Sequence, residues 1–229
     1  MSTTAHAPRG VLVDLGPLAQ LRAGRLALRL PQLYVGLVLY GVSLAMMVRG
    51  ALGLAPWDVL HSGFVRHVPM TLGQAVVLFS FVVLLLWIPL REMPGLGTIS
   101  NALVVGLSAD ATLGLLDRPD AMWARIALMI GGVALCGLAS ALYIGAQLGR
   151  GPRDGLMTGL ARRTGLSLRL VRTGLEVTVV VIGLLLGGVL GVGTVVYALA
   201  IGPLTQLMLP WFTVDLPAPE PRPAEPAAS

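Results

Sequence analysis

Six long blocks of apolar residues set the plan of this chain: residues 32–48, 72–90, 96–116, 124–148, 168–189 and 192–209. Each approaches or exceeds the roughly 20 residues of helix that cross a hydrocarbon core, and none shows the strict alternation of a half-buried strand. They predict six transmembrane helices. Ahead of them, Arg22, Arg25 and Arg29 recur at helical spacing among Leu18, Leu21 and Leu28, which predicts a short helix over Pro17–Leu30 lying on the membrane surface. The first 16 residues and the Pro/Ala-rich tail from Thr213 have no apolar periodicity and read as disordered. The expected organisation is a basic cytoplasmic segment over 1–30, a membrane domain over 31–212 and a tail over 213–229.

Composition agrees with a bilayer as solvent. Of 229 residues 55% are hydrophobic and 12% charged, with mean hydropathy +0.83, too little polar surface to cover a soluble domain. The net charge is +5, and the 16 basic residues are all arginine. They flank apolar blocks and do not form a stripe interleaved with aromatics, which argues against a nucleic-acid partner and for topology signals. With the N-terminus inside, twelve arginines fall on cytoplasmic segments, whereas Arg49, Arg66, Arg118 and Arg125 fall outside. That bias places both termini in the cytoplasm. No short apolar region with a cleavage site precedes the first block, so no removable signal is expected.

The chain also repeats itself. A shift of 96 residues aligns GLAPWDVLHSGFVR (53–66) with GRGPRDGLMTGLAR (149–162) and GLGTISNALVVG (95–106) with GVGTVVYALAIG (191–202). It pairs Gly36, Gly41 and Ala45 with Gly132, Gly137 and Ala141 as well. Small and apolar matches are cheap in a membrane sequence, so the weight rests on Pro56 with Pro152, Asp58 with Asp154, Arg66 with Arg162 and Thr98 with Thr194. Each unit, about 31–117 and 123–212, holds three spans. An odd number forces the second unit to start on the opposite side of the membrane, so the expected fold is all-α, with two inverted three-helix repeats, each carrying a short Pro-x-Asp half-helix between its first and second spans.

With the PWD and PRD segments in place, the chain resembles the YczE/YyaS/YitT group of bacterial membrane proteins over roughly residues 30–212, most closely the YczE type. The resemblance implies a multi-pass protein of the bacterial cytoplasmic membrane from an uncharacterised family, with no substrate or reaction to carry over. YitT-type members typically add a cytoplasmic C-terminal domain that has no counterpart here.

Asp58 and Asp154 are the sharpest functional candidates, because an ionisable residue repeated between spans marks a site by default. Half-helices starting at Pro56 and Pro152 would aim positive dipole ends and two carboxylates at a central cavity, suited to a cation, a proton or a small solute. Pro at the first helical position with Asp two residues on is equally an ordinary helix start, so both readings stand. Arg153 replaces Trp57 at the equivalent place and is either an anion contact or another topology charge. Asn101, Asp110, Tyr197 and Gln206 are candidates to line a path, or hydrogen-bond neighbouring helices. Arg172 and Glu176, four apart, predict an ion pair. His61 and His67, six apart, do not share a helix face and read as loop residues; the single Cys136 reads as packing. No metal cluster, phosphate loop with lysine, or nucleophile with a base is present, so neither a metal, a cofactor nor an enzyme is expected. The Gly-rich GGVLGVG permits close packing within one chain or in a homodimer. The reading is a small-solute or ion transporter or channel; the alternative is a non-transporting accessory or scaffold protein.

Overall fold

The computed structural model describes residue 12 and residues 15–216. Among these residues it holds nine α-helices and no strand: α1 Pro17–Arg22, α2 Leu26–Gly50, α3 Pro56–Phe64, α4 Leu72–Leu90, α5 Leu96–Leu115, α6 Met122–Gly145, α7 Pro152–Thr164, α8 Leu168–Leu185 and α9 Val192–Phe212. Local chemistry starts them. Pro occupies the first turn of α3 and α7, Thr71 and Gln74 form a capping box on α4, and the Ser167 hydroxyl caps α8.

Five helices, α2, α4, α5, α6 and α9, are long and apolar enough to cross a membrane. The sixth expected span, α8, has 18 residues but carries Arg169, Arg172 and Glu176 in its first half, and it is not among them. The predicted surface helix over Pro17–Leu30 is also different. α1 ends at Arg22, Arg25 takes a left-handed conformation, and α2 begins at Leu26 and runs through Pro31, across the expected boundary at residue 30. Arg29, expected at the membrane surface, has no exposed area. At the other end, Val214 and Leu216 of the predicted tail are buried, and the Val214 amide donates to the Gly145 carbonyl at 3.0 Å. Residues 1–11, 13, 14 and 217–229, where disorder is expected, lie outside the described residues.

α6, α7, α8 and α9 begin 96 residues after α2, α3, α4 and α5 respectively. Their contacts recur at the same interval. Arg29 Nε and Nη2 donate to the carbonyls of Ala146 and Gln147 at 2.8 and 2.6 Å, beyond the end of α6. Arg125 Nε and Nη2 donate to those of Gly50 and Ala51 at 2.9 and 2.8 Å, at the end of α2. Each arginine near the start of one long helix thus satisfies the orphan carbonyls at the end of the other, where the helix dipole is negative. The two helices therefore run antiparallel, packed along one another. The loops behave alike: Gly97 N–H donates to Leu148 O and Gly193 N–H to Leu52 O, both at 2.7 Å. Gly53 and Gly149, at φ +125° and +135°, make the turns that bring those loops down.

Around this frame α2 packs on α5 and α6 on α9, while α3 lies against α8 and α7 against α4. One correspondence fails. α4 packs closely on α5, but α8 and α9 do not pack along one another. Gly73 and Gly106 bring the α4 and α5 backbones so near that a Cβ on Gly73 would lie 2.1 Å from the Gly106 carbonyl oxygen. The residue 96 positions after Gly73 is Arg169, so this glycine contact has no counterpart between α8 and α9.

Candidate functional site

α3 and α7 end their approach in the centre of the bundle, where their first turns meet. Asp58 Oδ1 lies 3.0 Å from His61 Nδ1, one turn further along α3, and 3.7 Å from Arg153 Nη2 on α7. The Arg153 guanidinium also sits over the Trp57 ring, 5.1 Å from its centroid. So the residues that differ between the two Pro-x-Asp segments, Trp57 and Arg153, stack on each other and join the segments. Asp58 is buried; with a neutral imidazole donating Nδ1–H, the cluster pairs one carboxylate with one guanidinium. His61, expected in a loop, is helical and 1% exposed, while His67 does lie in the loop after α3. Spacing to His67 was the wrong criterion, because the informative interval was the one turn to Asp58.

Asp154 has a different setting. Its Oδ2 accepts from the Tyr143 hydroxyl at 2.8 Å, and the residue is exposed. It lines a cavity of about 210 Å³ between α2, α4, α5, α6, α7, α8 and α9, together with Pro152, Arg153, Asn101, Tyr197, Gln206 and Arg172. A recess of about 60 Å³ continues it past Tyr40, Pro56 and Trp57. On the other side Asp154 also lines a space of about 270 Å³ with Arg150, Gln20, Gln147 and Gly149, at the end of the bundle that carries both described chain ends. The two spaces adjoin at Ile144 and Asp154.

Of the sequence candidates, Pro56, Trp57, Pro152, Arg153, Asp154, Asn101, Tyr197 and Gln206 gather at this cavity and its recess. Asp58 stands immediately behind it. Asp110 does not join them. Its carboxylate accepts from the Thr71 hydroxyl and, at 2.8 Å, from the Gly73 amide, capping α4 and tying it to α5. Arg172 and Glu176 are paired at 2.9 Å. Tyr40 and Tyr143 escaped sequence reasoning; a single hydroxyl tip inside an apolar block was their only signal. Cys136 is buried, its Sγ 3.7 Å from the Tyr197 hydroxyl. Among the described residues no three His, Cys, Asp or Glu side chains are grouped to hold a metal ion.

The sequence over residues 27–210 matches the profile of a family of unknown function, DUF6198. The chain belongs to this family. Relatives of the chain include an uncharacterised protein of Haemophilus influenzae, 40% identical over 177 residues, which cover 77% of this chain and 81% of that one. The uncharacterised membrane protein YczE of Bacillus subtilis is 30% identical over 187 residues, 81% of this chain and 87% of its own. The uncharacterised protein YyaS of the same organism is 24% identical over 183 residues, 77% of this chain and 90% of its own. The resemblance read from the PWD and PRD segments is thus correct, and the chain is a membrane protein of an uncharacterised family. No solved structure matches it significantly.

Proposed function

We propose that this protein is a small-solute or ion transporter or channel of the bacterial cytoplasmic membrane, with its site between two inverted three-helix units. In this reading α8 is the sixth span, its charged inner turns facing the cavity and the membrane interface. α3 and α7, of 9 and 13 residues, re-enter from opposite faces and meet near the midplane, as discontinuous helices do in many secondary transporters. The observation that carries the reading is the polar cavity at that meeting point, onto which Asp154 opens with the Tyr143 hydroxyl on its carboxylate. An ionisable group inside a bundle is expensive and is retained for a task.

The arginine bias puts both termini in the cytoplasm, and the cavity then faces the cytoplasm, closed outward by the α4–α5 contact. No catalysis is assigned. The second reading, a non-transporting accessory protein, draws on the Asp58 carboxylate, which is held by His61 and Arg153 and needs no ligand.

Thiol accessibility separates these. In a Cys136→Ala background, His67→Cys and Arg163→Cys, both exposed and 96 positions apart, should react with a membrane-impermeant maleimide from opposite faces. Arg153→Cys should react only from the Arg163 face, more slowly than either. Labelling of His67→Cys and Arg163→Cys from one face removes the inverted arrangement. An Arg153→Cys inert from both faces removes the cavity as a path and leaves the accessory reading.

A further inference from the structure

Building on the transporter reading, we propose that His61 and Asp58 form a proton site whose occupation releases Arg153 from α3, so that the proton is the coupling ion. The Asp58 carboxylate only accepts, so the imidazole Nδ1, 3.0 Å from it, carries the hydrogen of that contact and Nε2 carries the lone pair. Nε2 is buried and has no hydrogen-bond partner among the described residues. Buried polar atoms in native proteins are nearly always partnered, and an orphan calls for an explanation in function. Here it is a basic nitrogen that no donor holds. Its surroundings also favour a charged ring, since the Phe79 ring centroid lies 5.3 Å away, within the distance at which an aromatic face attracts a cation.

The charges packed around the pair determine what a proton does there. α4 has no ionisable residue, and α2, α6 and α9 bring only the uncharged Tyr40, Cys136 and Tyr197. α8 presents Arg172 and Glu176, paired with each other at 2.9 Å, and the exposed Arg169. Arg66 and His67 follow α3 and are exposed. α7 presents Asp154, on the Tyr143 hydroxyl and with Arg150 on the adjoining space, and Arg153. Of these groups Arg153 is the one paired with Asp58, through the same Oδ1 that faces His61, and at 3.7 Å the contact exceeds hydrogen-bond length. With His61 neutral, one carboxylate matches one guanidinium. A proton on Nε2 makes an imidazolium, which leaves two cations on one carboxylate oxygen, and like charges repel strongly in a weakly polar interior. His61 is enclosed, with 1% of its side chain exposed, whereas Arg153 is 21% exposed and lines the cavity. Arg153 therefore yields. Its guanidinium leaves Asp58 and the Trp57 ring for the cavity, and the stack that joins α3 to α7 is lost. The charge balances throughout: one proton enters, one guanidinium moves out, and its return expels the proton. By linkage, whatever draws Arg153 into the cavity favours the proton on His61 by the same factor.

Histidine-ring and indole signals of the purified full-length protein in detergent test this by NMR. The chain has three histidines, so a His6→Gln, His67→Gln background leaves the His61 signal alone, and Trp57→Phe identifies the Trp57 indole. The His61 signal should move between about pH 5 and about pH 8, and the Trp57 indole should follow the same curve. Asp58→Asn and Arg153→Gln should move the midpoint in opposite senses, each by about tenfold or more in proton affinity, because one removes an anion and the other a cation. A His61 signal in one form across that range, a Trp57 indole that does not follow it, or a midpoint indifferent to both substitutions overturns the proposal. If Asp58→Asn does not fold, Arg153→Gln decides: an unchanged midpoint overturns it. Should His61 stay in one form while Arg153→Cys labels from the Arg163 face, the proton coupling is wrong and the transporter reading stands. An Arg153→Cys inert from both faces removes the transporter reading, and the coupling with it.

Discussion

Replacing Arg29 with Met keeps much of the side-chain volume and removes the fork that holds α6 to the start of α2. In the folded chain the guanidinium makes four hydrogen bonds, to the carbonyls of Ala146, Gln147, Gln20 and Gly24 at 2.8, 2.6, 2.7 and 3.1 Å. Two of these acceptors follow the end of α6, where helix geometry offers no backbone donor. Leaving a buried acceptor unsatisfied costs about 1–3 kcal/mol, so the two carbonyls account for about 2–6 kcal/mol. Part is recovered, because Met has no charge to desolvate. A net loss of about 3 kcal/mol remains, equivalent to a fall of about 6–12 °C at 2–4 °C per kcal/mol for a chain of this size. Arg125→Met is the internal control. Its residue makes two such bonds from a partly exposed position, so water or headgroups can replace them, and a loss of about 1 kcal/mol is expected. Buried Cys136 supplies the assay, since a thiol-reactive fluorophore reports its exposure as the protein melts. If Arg29→Met melts within about 2 °C of wild type, or no lower than Arg125→Met, the clamp contributes little and Arg29 is only the surface topology charge its sequence position suggested.

Asp58→Asn should destabilise by about 2–3 kcal/mol, because it leaves Arg153 unpaired near the bundle centre; adding Arg153→Leu should recover part of the loss in a double-mutant melting cycle. Gly53→Ala and Gly149→Ala should each destabilise the fold by about 1 kcal/mol or more, since both hold positive φ and an added Cβ would lie 2.7 Å from Thr194 N and 2.8 Å from Thr98 Oγ1 respectively. Thermal unfolding that moves for one and not the other would contradict the equivalence of the two loops. Arg172→Leu should change melting by less than about 1 kcal/mol, because its pair with Glu176 is largely exposed, and should instead alter access to Arg153→Cys through the cavity.

Much of the frame was legible from local pattern. Hydropathy blocks delimit the long helices to within a few residues except at the start of α2, six residues earlier than its block, and Pro56 and Pro152 mark the starts of α3 and α7, because span length and a helix's first turn depend on neighbours in sequence. The interval of 96 residues likewise carried over to every corresponding pair of helix starts. The Arg172–Glu176 pair follows from the rise of a single helix. The site was legible in part: eight of the ten candidates line the cavity or its recess, yet the two aspartates that look equivalent in sequence are not. Asp58 is closed off by Arg153 across the interface, whereas Asp154 meets Tyr143 and open space.

What tertiary structure alone decided are choices between partners far apart in the chain. Arg29 has the same pattern as a surface charge until α6 ends beside it, 117 residues away. Asp110 resembles a path-lining residue until the α4 terminus arrives to be capped. The close fit of α4 on α5 at Gly73 and Gly106 has no counterpart between α8 and α9, where the sequence places Arg169 and Gly202, because such a fit depends on how near another backbone comes. Periodicity and capping act within a few residues and are written locally; charge pairing and close packing act through space, and only the folded chain determines which groups meet.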